Sequence, residues 1–498
     1  MRTVKTASGA RAVQVVWSRR GGTADLVHVG SAHSDAELEL LVLAARDRIA
    51  AGQGELDLGL GDGRSSGAAL EVVGSKMTHL WDALEHAYRV LGFDQAVDDP
   101  VFRDVVLARV VEPTSKLDSA RVLEEVGVAA VSYSTLKRHL RVWSAEGWRE
   151  QLARACAAHV GLGPATLVLY DVTTLYFETH EPDGFRKPGY SKERRLEPQI
   201  TVGLLTDATG FPLMVCAFDG NTGETKTMLP VVKAFMAVHD LPDVVVVADA
   251  GMVSEANKKA IEAEGLSFVL GAKMTHVPYQ VTRWRADHPG QEIPDGHVFT
   301  QPWPATASEE RRDQVVYYRY SAGRARRTLK GIDEQVRKAE AAVDGKTPVK
   351  RNRFVTLVDA KKSVNRELEA KARALAGIKA YVTNIPDPDP GFVIGAYHRL
   401  FQIEKSFRMA KSDLRARPIF HHARDSIEAH LTVVLATLAV SRWIESTTGW
   451  SIKRFVKTAR RYRTTYIKVG GQVLPAQEPL PDDLAAVLDK IWADRTLK

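Results

Sequence analysis

The chain has only two cysteines, Cys156 and Cys216, and they lie far apart in the sequence. Neither sits in a CxxC pair or beside a histidine at ligand spacing. That excludes a disulfide framework and a zinc site, and leaves both as buried thiols. Long hydrophobic runs are missing as well. The longest mainly apolar stretch, Leu431 to Val440, falls short of the roughly 20 residues that a bilayer-spanning helix needs. No charged-then-apolar segment opens the chain. The expectation is a cytoplasmic protein with no membrane partner. No internal repeat is evident. Hydrophobic residues at 45% and charged residues at 26% exclude disorder as the dominant state. A length of 498 residues points to about three domains at roughly 150 residues each.

A strong excess of one charge is also lacking, but the balance is basic. Lys and Arg number 68 against 61 Asp and Glu, a net charge of +7 with a pI near 9.1. This suits a polyanionic partner without requiring one. The basic residues cluster at Lys187 to Arg195, Arg311 to Lys330, Lys350 to Arg353, Arg408 to Arg417 and Lys453 to Arg463.

The opening reads as a β-hairpin, Ala12 to Trp17 and Asp25 to Val29 around Arg19-Arg20-Gly21-Gly22, then an amphipathic helix from Asp35 to Ala50 and a Gly-rich linker over 52–67. Between Phe102 and Trp148 the pattern predicts three short helices, the second closed by Gly127 and the third starting at Ser132 or Ser134, in a helix-turn-helix-like order. In the third, Leu136, Leu140 and Trp143 follow core spacing, which leaves Lys137, Arg138 and Arg141 on the opposite face. That face either enters a major groove or is simply solvated. After Gly163 the order becomes strand, strand, strand, helix, strand, helix, strand: Thr166 to Tyr170, Ile200 to Leu205, Phe211 to Phe218, Thr227 to His239, Val244 to Ala248, Ser254 to Glu264 and Phe268 to Leu270. Three strands followed by alternating helices and strands is the order of an RNase H-like mixed sheet. Residues 275–375 interrupt it as an insertion with a strand at Val315 to Tyr320 and a basic helix near Thr328 to Ala342. The sheet resumes at Ala380 to Ile385, and one long helix is predicted from Phe392 to Leu414.

The expected division is therefore 1–68, an N-terminal hairpin and helix; 69–162, a mainly α DNA-binding region; 163–274 and 376–446, the two parts of an α/β catalytic core; 275–375, the insertion; and 447–498, a basic C-terminal region.

Asp171 and Asp249 each follow an apolar strand, and Glu404 lies on the long helix. Neighbouring parallel strands present such residues at one sheet edge. An Asp after a strand is more often a turn or cap residue, so the joint context decides. That context is Tyr170-Asp171-Val172-Thr173-Thr174-Leu175-Tyr176-Phe177, the run Arg186 to Glu193, Ala248-Asp249-Ala250-Gly251-Met252, and Ile403 to Arg408 continuing through Asp413 to Ile419. Over nearly the whole chain these motifs resemble DDE transposases of the insertion-sequence-four superfamily, and most nearly its sixteen-thirty-four branch. The resemblance implies an RNase H-like fold, a β-rich insertion over 275–375 between the second Asp and the Glu, and a catalytic, metal-binding triad of Asp171, Asp249 and Glu404. The triad would hold two Mg²⁺ ions, with Mn²⁺ able to substitute. It further implies binding of double-stranded DNA, both terminal inverted repeats and target, by a homodimer that pairs two ends, in a bacterial cytoplasm beside the nucleoid. Tyr397 and Lys411 match the family's signature around the third acid, as DNA-contacting residues. The Arg position of that signature is Leu400, a core-packing residue type, so Arg399 or Arg408 takes the role. Trp284 or Trp303 either stacks on a flipped base or packs in the core. His421, His422 and His430 with Glu428 offer no metal spacing and read as DNA-facing or structural.

Two other functions remain open from the sequence. A plain RNase H-like nuclease would share the triad, and an element-derived DNA-binding protein would have lost cutting. All three acids being present weighs against the latter.

Overall fold

The computed structural model describes residues 1–6, 10–17, 25–50, 71–163, 166–178, 181–189, 196–239, 241, 244–252, 254–346, 352–358, 361–469 and 472–493. The turn at 19–22, the linker at 52–67, and residues 190–195 and 350–351 of the basic runs lie outside them. The chain divides into two units, Met1–Ala69 and Leu70–Lys498.

In the first unit β1 (Arg2–Lys5), β2 (Arg11–Trp17) and β3 (Asp25–Ala32) form an antiparallel sheet. Helix α1 (Asp35–Ala50) packs on β2 and β3, burying Val13 and Val15 against Ala45. The hairpin and helix match the expectation; β1 adds an edge strand to them.

The second unit begins with β4 (Glu71–Lys76) and six helices: α2 (Thr78–Val90), α3 (Phe93–Ala96), α4 (Pro100–Val111), α5 (Ser119–Val126), α6 (Tyr133–Trp143) and α7 (Glu146–Val160). The predicted three-helix pattern is α4 to α6. Gly127 closes α5 at φ 87°, and Ser132 caps α6, its hydroxyl accepting the Thr135 N–H at 3.2 Å. Leu136, Leu140 and Trp143 are buried, while Lys137, Arg138 and Arg141 are exposed, as the helical period requires.

Next come β5 (Thr166–Tyr176), β6 (Gln199–Thr206), β7 (Pro212–Asp219), α8 (Met228–His239), β8 (Val244–Ala248), α9 (Glu255–Ala263) and β9 (Ser267–Ala272). Residues 275–375 hold α10 (Tyr279–Asp287), β10 (Val298–Trp303), β11 (Gln314–Tyr320), α11 (Ala322–Val343), β12 (Val355–Val358), β13 (Lys361–Val364) and α12 (Arg366–Ala374). This segment differs from the β-rich insertion expected. Its longest element is the 22-residue α11, whose Ile332, Val336 and Ala339 recur at helical spacing and cover Phe354. The chain ends with β14 (Ile378–Thr383), α13 (Pro390–His398), α14 (Leu400–Arg408), α15 (Arg424–Thr448), α16 (Ile452–Ala459), β15 (Thr464–Val469), β16 (Gln472–Gln477) and α17 (Asp482–Ala493).

Eight strands form one mixed sheet in the order β10-β11-β14-β9-β8-β5-β6-β7. β5, β8 and β9 are parallel neighbours, and every other adjacent pair is antiparallel. β8 reads Val-Val-Val-Val-Ala and is buried along its length, the pattern of a strand covered on both faces. Asn384 fastens β14 beside β9: its side chain accepts the Phe268 N–H at 2.8 Å and donates to the Leu266 carbonyl at 3.1 Å. Helix α14 lies on β5 and β6, α8 on β6 and β7, and α7 and α15 on β7.

Helix α15 is, among the described residues, the one long and apolar enough to cross a membrane, yet 94% of that apolar window is buried inside the protein. α2, α4, α6 and α17 surround it, so its apolar circumference is that of a core helix. One hydrophobic core runs from Met77 through the sheet to Ile491, shared by the N-terminal helices, the sheet and the C-terminal segment.

Candidate active site

β5 and β8 pair in parallel with Leu169 opposite Val247. Two residues beyond that pair stand Asp171, still within β5, and Asp249, so the register directs both toward the same end of the two strands, about 4.8 Å being the usual strand spacing. Asp171 is half-buried and accepts the Val172 N–H at 2.8 Å; Asp249, just past the end of β8, is exposed.

Glu404 arrives from α14. The single helix expected from Phe392 to Leu414 is not formed. The chain makes α13, turns tightly at Arg399, makes α14, and closes with a π turn over Met409–Asp413. At the junction Arg399 N–H is shared between the Gly395 and Ala396 carbonyls, and Gln402 N–H bonds to the Arg399 carbonyl only three residues back. The physical reason is that each piece is pinned to a different place. The Tyr397 hydroxyl on α13 donates to Asp249 Oδ1. Gly271 makes room for it, since a Cβ there would come within 2.7 Å of that hydroxyl. On α14, Ser406 Oγ donates to the Gly210 carbonyl at 2.6 Å in the turn between β6 and β7. Gly210 sits at φ +84°, and a Cβ on it would lie 2.7 Å from the Gln402 carbonyl oxygen. The helix and turn therefore touch through backbone.

Asp171, Glu404, Arg408, Lys411 and Arg417 line one cleft of about 590 Å³. The π turn brings Lys411 and Ser412 to its wall, a common use of such bulges. Of the two arginines considered for the signature position, Arg408 lines the cleft. Arg399 is exposed at the helix junction and is not among the lining residues, while Leu400 is 8% exposed and packs in the core. Tyr397 is 4% exposed and faces Asp249. Burial first, then the hydrogen bond to Asp249, pushes its hydroxyl well above the usual tyrosine range, so it stays a donor.

Two residues of the site escaped sequence reasoning. Glu224, in the loop after β7, adds a carboxylate to the cleft and carries no sequence signal. Lys379 on β14 places its Nζ 4.0 Å from the centre of the Tyr397 ring and 5.9 Å from that of Tyr381. Burial, then Arg324, lowers its pKa, while the charges of Asp249 and Glu404 oppose the shift. The charges of both acids thus reach this ammonium. Alternation along β14 puts Lys379 and Tyr381 on one face, which is the signal that was available.

Among the described residues no three Asp, Glu, His or Cys side chains form a ready-made metal cage. The donors nonetheless fit a hard cation. Mg²⁺ is held by one or two carboxylates and completes its shell with water and substrate phosphate, and an open cleft with Asp171 and Glu404 on its walls and Asp249 on the adjoining strand leaves that room.

Trp284 stacks on His288 at 4.4 Å and 12° within a small core of Val281, Ile293 and Phe299. Trp303 is 41% exposed, with Lys258 Nζ at 5.1 Å and Arg311 Cζ at 4.8 Å over its ring. It borders a cavity of about 700 Å³ that reaches Ala250, next to Asp249. On α6 the basic face of Lys137, Arg138 and Arg141 is solvent-exposed. His430 is buried and bonded to the Ala416 carbonyl, His421 meets Lys116, and His422 meets Arg186.

No match was found among curated proteins. Among solved structures, a piggyBac transposase synaptic complex with hairpin DNA aligns at 11% identity and a TM-score of 0.38, over 85% of this chain and 82% of that one. The family model of the transposase DDE domain matches residues 163–440, more than half of the chain. The protein therefore belongs to the DDE transposase family.

Proposed function

We propose that this is the transposase of a bacterial insertion sequence of the insertion-sequence-four superfamily, in its sixteen-thirty-four branch, and that it cuts and rejoins DNA with Asp171, Asp249 and Glu404. The observation that carries the reading is the parallel register of β5 and β8, which ends at Leu169 opposite Val247, two residues before Asp171 and Asp249, while α14, which carries Glu404, packs on β5. The strand order β7-β6-β5-β8-β9, with β5, β8 and β9 parallel, supports an RNase H-like core.

Transposase DDE domains generally use divalent metal ions. Here Asp171, Asp249 and Glu404 would hold two Mg²⁺, or Mn²⁺ in their place, and the ions would stabilise charge on the entering and leaving oxygens of phosphoryl transfer. The side chains of this chain do the rest. Tyr397 holds the Asp249 carboxylate in one orientation, and Lys379 fixes the Tyr397 ring from behind. Arg408, Lys411 and Arg417 face the cleft as cations for the phosphates on either side of the cut bond. Water attacks the phosphorus at the element end and the 3′ oxygen leaves. The freed 3′ hydroxyl then attacks a phosphate of the target, its proton is released, and the target strand's own 3′ oxygen leaves and is protonated to a hydroxyl. Trp303, exposed and flanked by two cations, suits a stacked, displaced base better than Trp284, whose ring is spent on His288. Lys137, Arg138 and Arg141 would read the terminal inverted repeat, Arg399 would touch flanking backbone, and two copies would pair two ends.

The test is cleavage of labelled repeat-end DNA with Mg²⁺. Asp171→Asn and Glu404→Gln should abolish cutting while binding stays near the wild-type level. A rate above about a tenth of wild type in either variant, roughly 1.4 kcal/mol of barrier, would sink the triad. A wild-type chain that binds the repeat and never cuts would make it a DNA-binding protein derived from an element.

A further inference from the structure

A second cavity, of about 340 Å³, lies between the turn joining α4 to α5 and the segment that follows the π turn. Its walls carry Arg109, Lys116, Arg415, Arg417, His421 and His430, with Glu112 as the one carboxylate. Arg109 and Lys116 are each 8% exposed. Glu112 does not balance them, because its two oxygens are taken by Arg121 and Arg460.

Among the described residues, the atoms that meet Arg109 and Lys116 are neutral. Arg109 donates to the Arg415 carbonyl at 2.8 Å and, at 3.4 Å, to that of Thr114, and its buried Nε has no hydrogen-bond partner among the described residues. Lys116 Nζ lies 2.5 Å from His421 Nε2. An ammonium can only donate, so that ring nitrogen accepts and the imidazole is neutral. His430 Nε2 donates to the Ala416 carbonyl at 3.0 Å. Burial and the neighbouring Arg109 pull Lys116 down to about 7. Burial, followed by Lys116 and Arg109, pulls His421 down to about 3. The wall contributed by Arg415 is strained, with φ at 43° in a residue other than glycine.

Buried cations without a counter-ion are costly, and a bound anion removes that cost. Which anion is indicated by Arg417, which lines both this cavity and the catalytic cleft. The two spaces are therefore neighbours along one basic wall. We propose that the Arg109–Lys116 pocket is a phosphate-binding site, and that its ligand is a backbone phosphate of the DNA strand that continues past Arg417 from the catalytic cleft. The DNA assignment rests on the reading of that cleft as the cutting site.

The test uses the full chain and two probes, inorganic phosphate and a labelled repeat-end duplex. Phosphate should raise the melting temperature of the wild type and have little effect on Lys116→Met, with Lys116→Arg restoring the response. With the duplex, measured in an Asp171→Asn background so that nothing is cut, Lys116→Met should lower the slope of log affinity against log salt by about 0.9, the loss of one phosphate contact. Crystals of the wild type soaked in tungstate give an answer that needs no variant: the ion should appear between Arg109 Nε and Lys116 Nζ, and its absence overturns the site. A phosphate response with an unchanged salt slope overturns the DNA assignment. Cutting that survives Asp171→Asn overturns the catalytic reading and leaves the phosphate result standing.

Discussion

Two lysines near the cleft, neither of them among its lining residues, have opposite surroundings. Lys379 lies against the Tyr397 ring, with the carboxylates of Asp249 and Glu404 within electrostatic reach. Lys116 is buried among Arg109, Arg415, Arg417, His421 and His430, and the nearby Glu112 is already paired. The first is an ion whose partners are built into the protein. The second is an ion whose partner has to come from outside. The contrast teaches that burial alone does not mark a functional cation; the missing counter-ion does.

The largest expected effect tests Lys116 by removing the charge. In metal-free, phosphate-free solution Lys116→Met should raise the melting temperature, by an amount on the order of a few kcal/mol in stability at most, because a poorly compensated buried ion disappears. The gain should depend on pH. The unfolded lysine titrates at its ordinary value of 10.5 and the buried one at about 7, so between these values the folded state binds fewer protons and wild-type stability rises with pH. Below pH 7 the penalty is complete, and above the ordinary value it is gone. Over most of this window the facing groups hold their state: burial takes Arg109 down only to about 10, His421 to about 3, and His430 well below its usual range. Arg415 and Arg417 face the same cavity, and Glu112 is held below the usual carboxylate range despite its burial, by Arg121 and then Arg460. Melting curves at about pH 6 and about pH 9.5 should show the variant's advantage shrinking. A variant less stable than wild type at both would make Lys116 an ordinary structural residue.

A smaller effect is expected at Asp249. Tyr397→Phe keeps the ring, its packing and the Lys379 contact, and deletes only the hydroxyl that orients the carboxylate. Groups that orient a metal ligand typically contribute 10–100-fold in metal affinity. Mn²⁺ titration followed by electron paramagnetic resonance should show a loss of about that size. Wild-type affinity would mean that Asp249 is oriented by something other than Tyr397.

What the sequence made legible follows from the range of the forces involved. The buried and exposed faces of α6 are set by a period within eleven residues, and Leu136, Leu140 and Trp143 carry it. Asp171 and Asp249 were picked out because an apolar run followed by Asp is a local pattern; that β5 continues past Asp171 to Tyr176 was not legible from it. The break at Arg399 was not legible, because it arises from two distant anchors, Asp249 and Gly210, that pull on α13 and α14 separately. Lys379 fell one residue outside the strand read as Ala380 to Ile385, so its place beside Tyr381 went unseen. Lys116 reads as a surface lysine at the start of a helix; the residue that buries it, His421, lies 305 positions away. In the insertion the basic helix near Thr328 to Ala342 was legible and forms most of α11, Ala322–Val343; the β-rich expectation came from the resemblance, not from these residues.

The smallest effect is expected at Lys379, and it completes the contrast. Here burial and Arg324 disfavour the charge, but the Tyr397 ring, Asp249 and Glu404 act against that cost, so Lys379→Met should lower stability slightly where Lys116→Met raises it. The Nζ stands 4.0 Å from the Tyr397 ring centre, a cation–π contact of about 0.5–1 kcal/mol where water still reaches the group. Asp249 and Glu404 add attraction that solvent screens, because Lys379 is only partly buried. The loss should be visible in the metal-free protein and largely recovered by Mn²⁺, since a bound cation takes over the neutralisation of the two acids. Lys379→Arg should keep most of the stability, because a guanidinium also stacks on an aromatic face. Thermal melts of wild type and both variants, with and without Mn²⁺, decide the matter. If Lys379→Met is as stable as wild type without metal, or if Mn²⁺ restores nothing, the lysine is not coupled to the acids, and the difference between the two lysines reduces to burial.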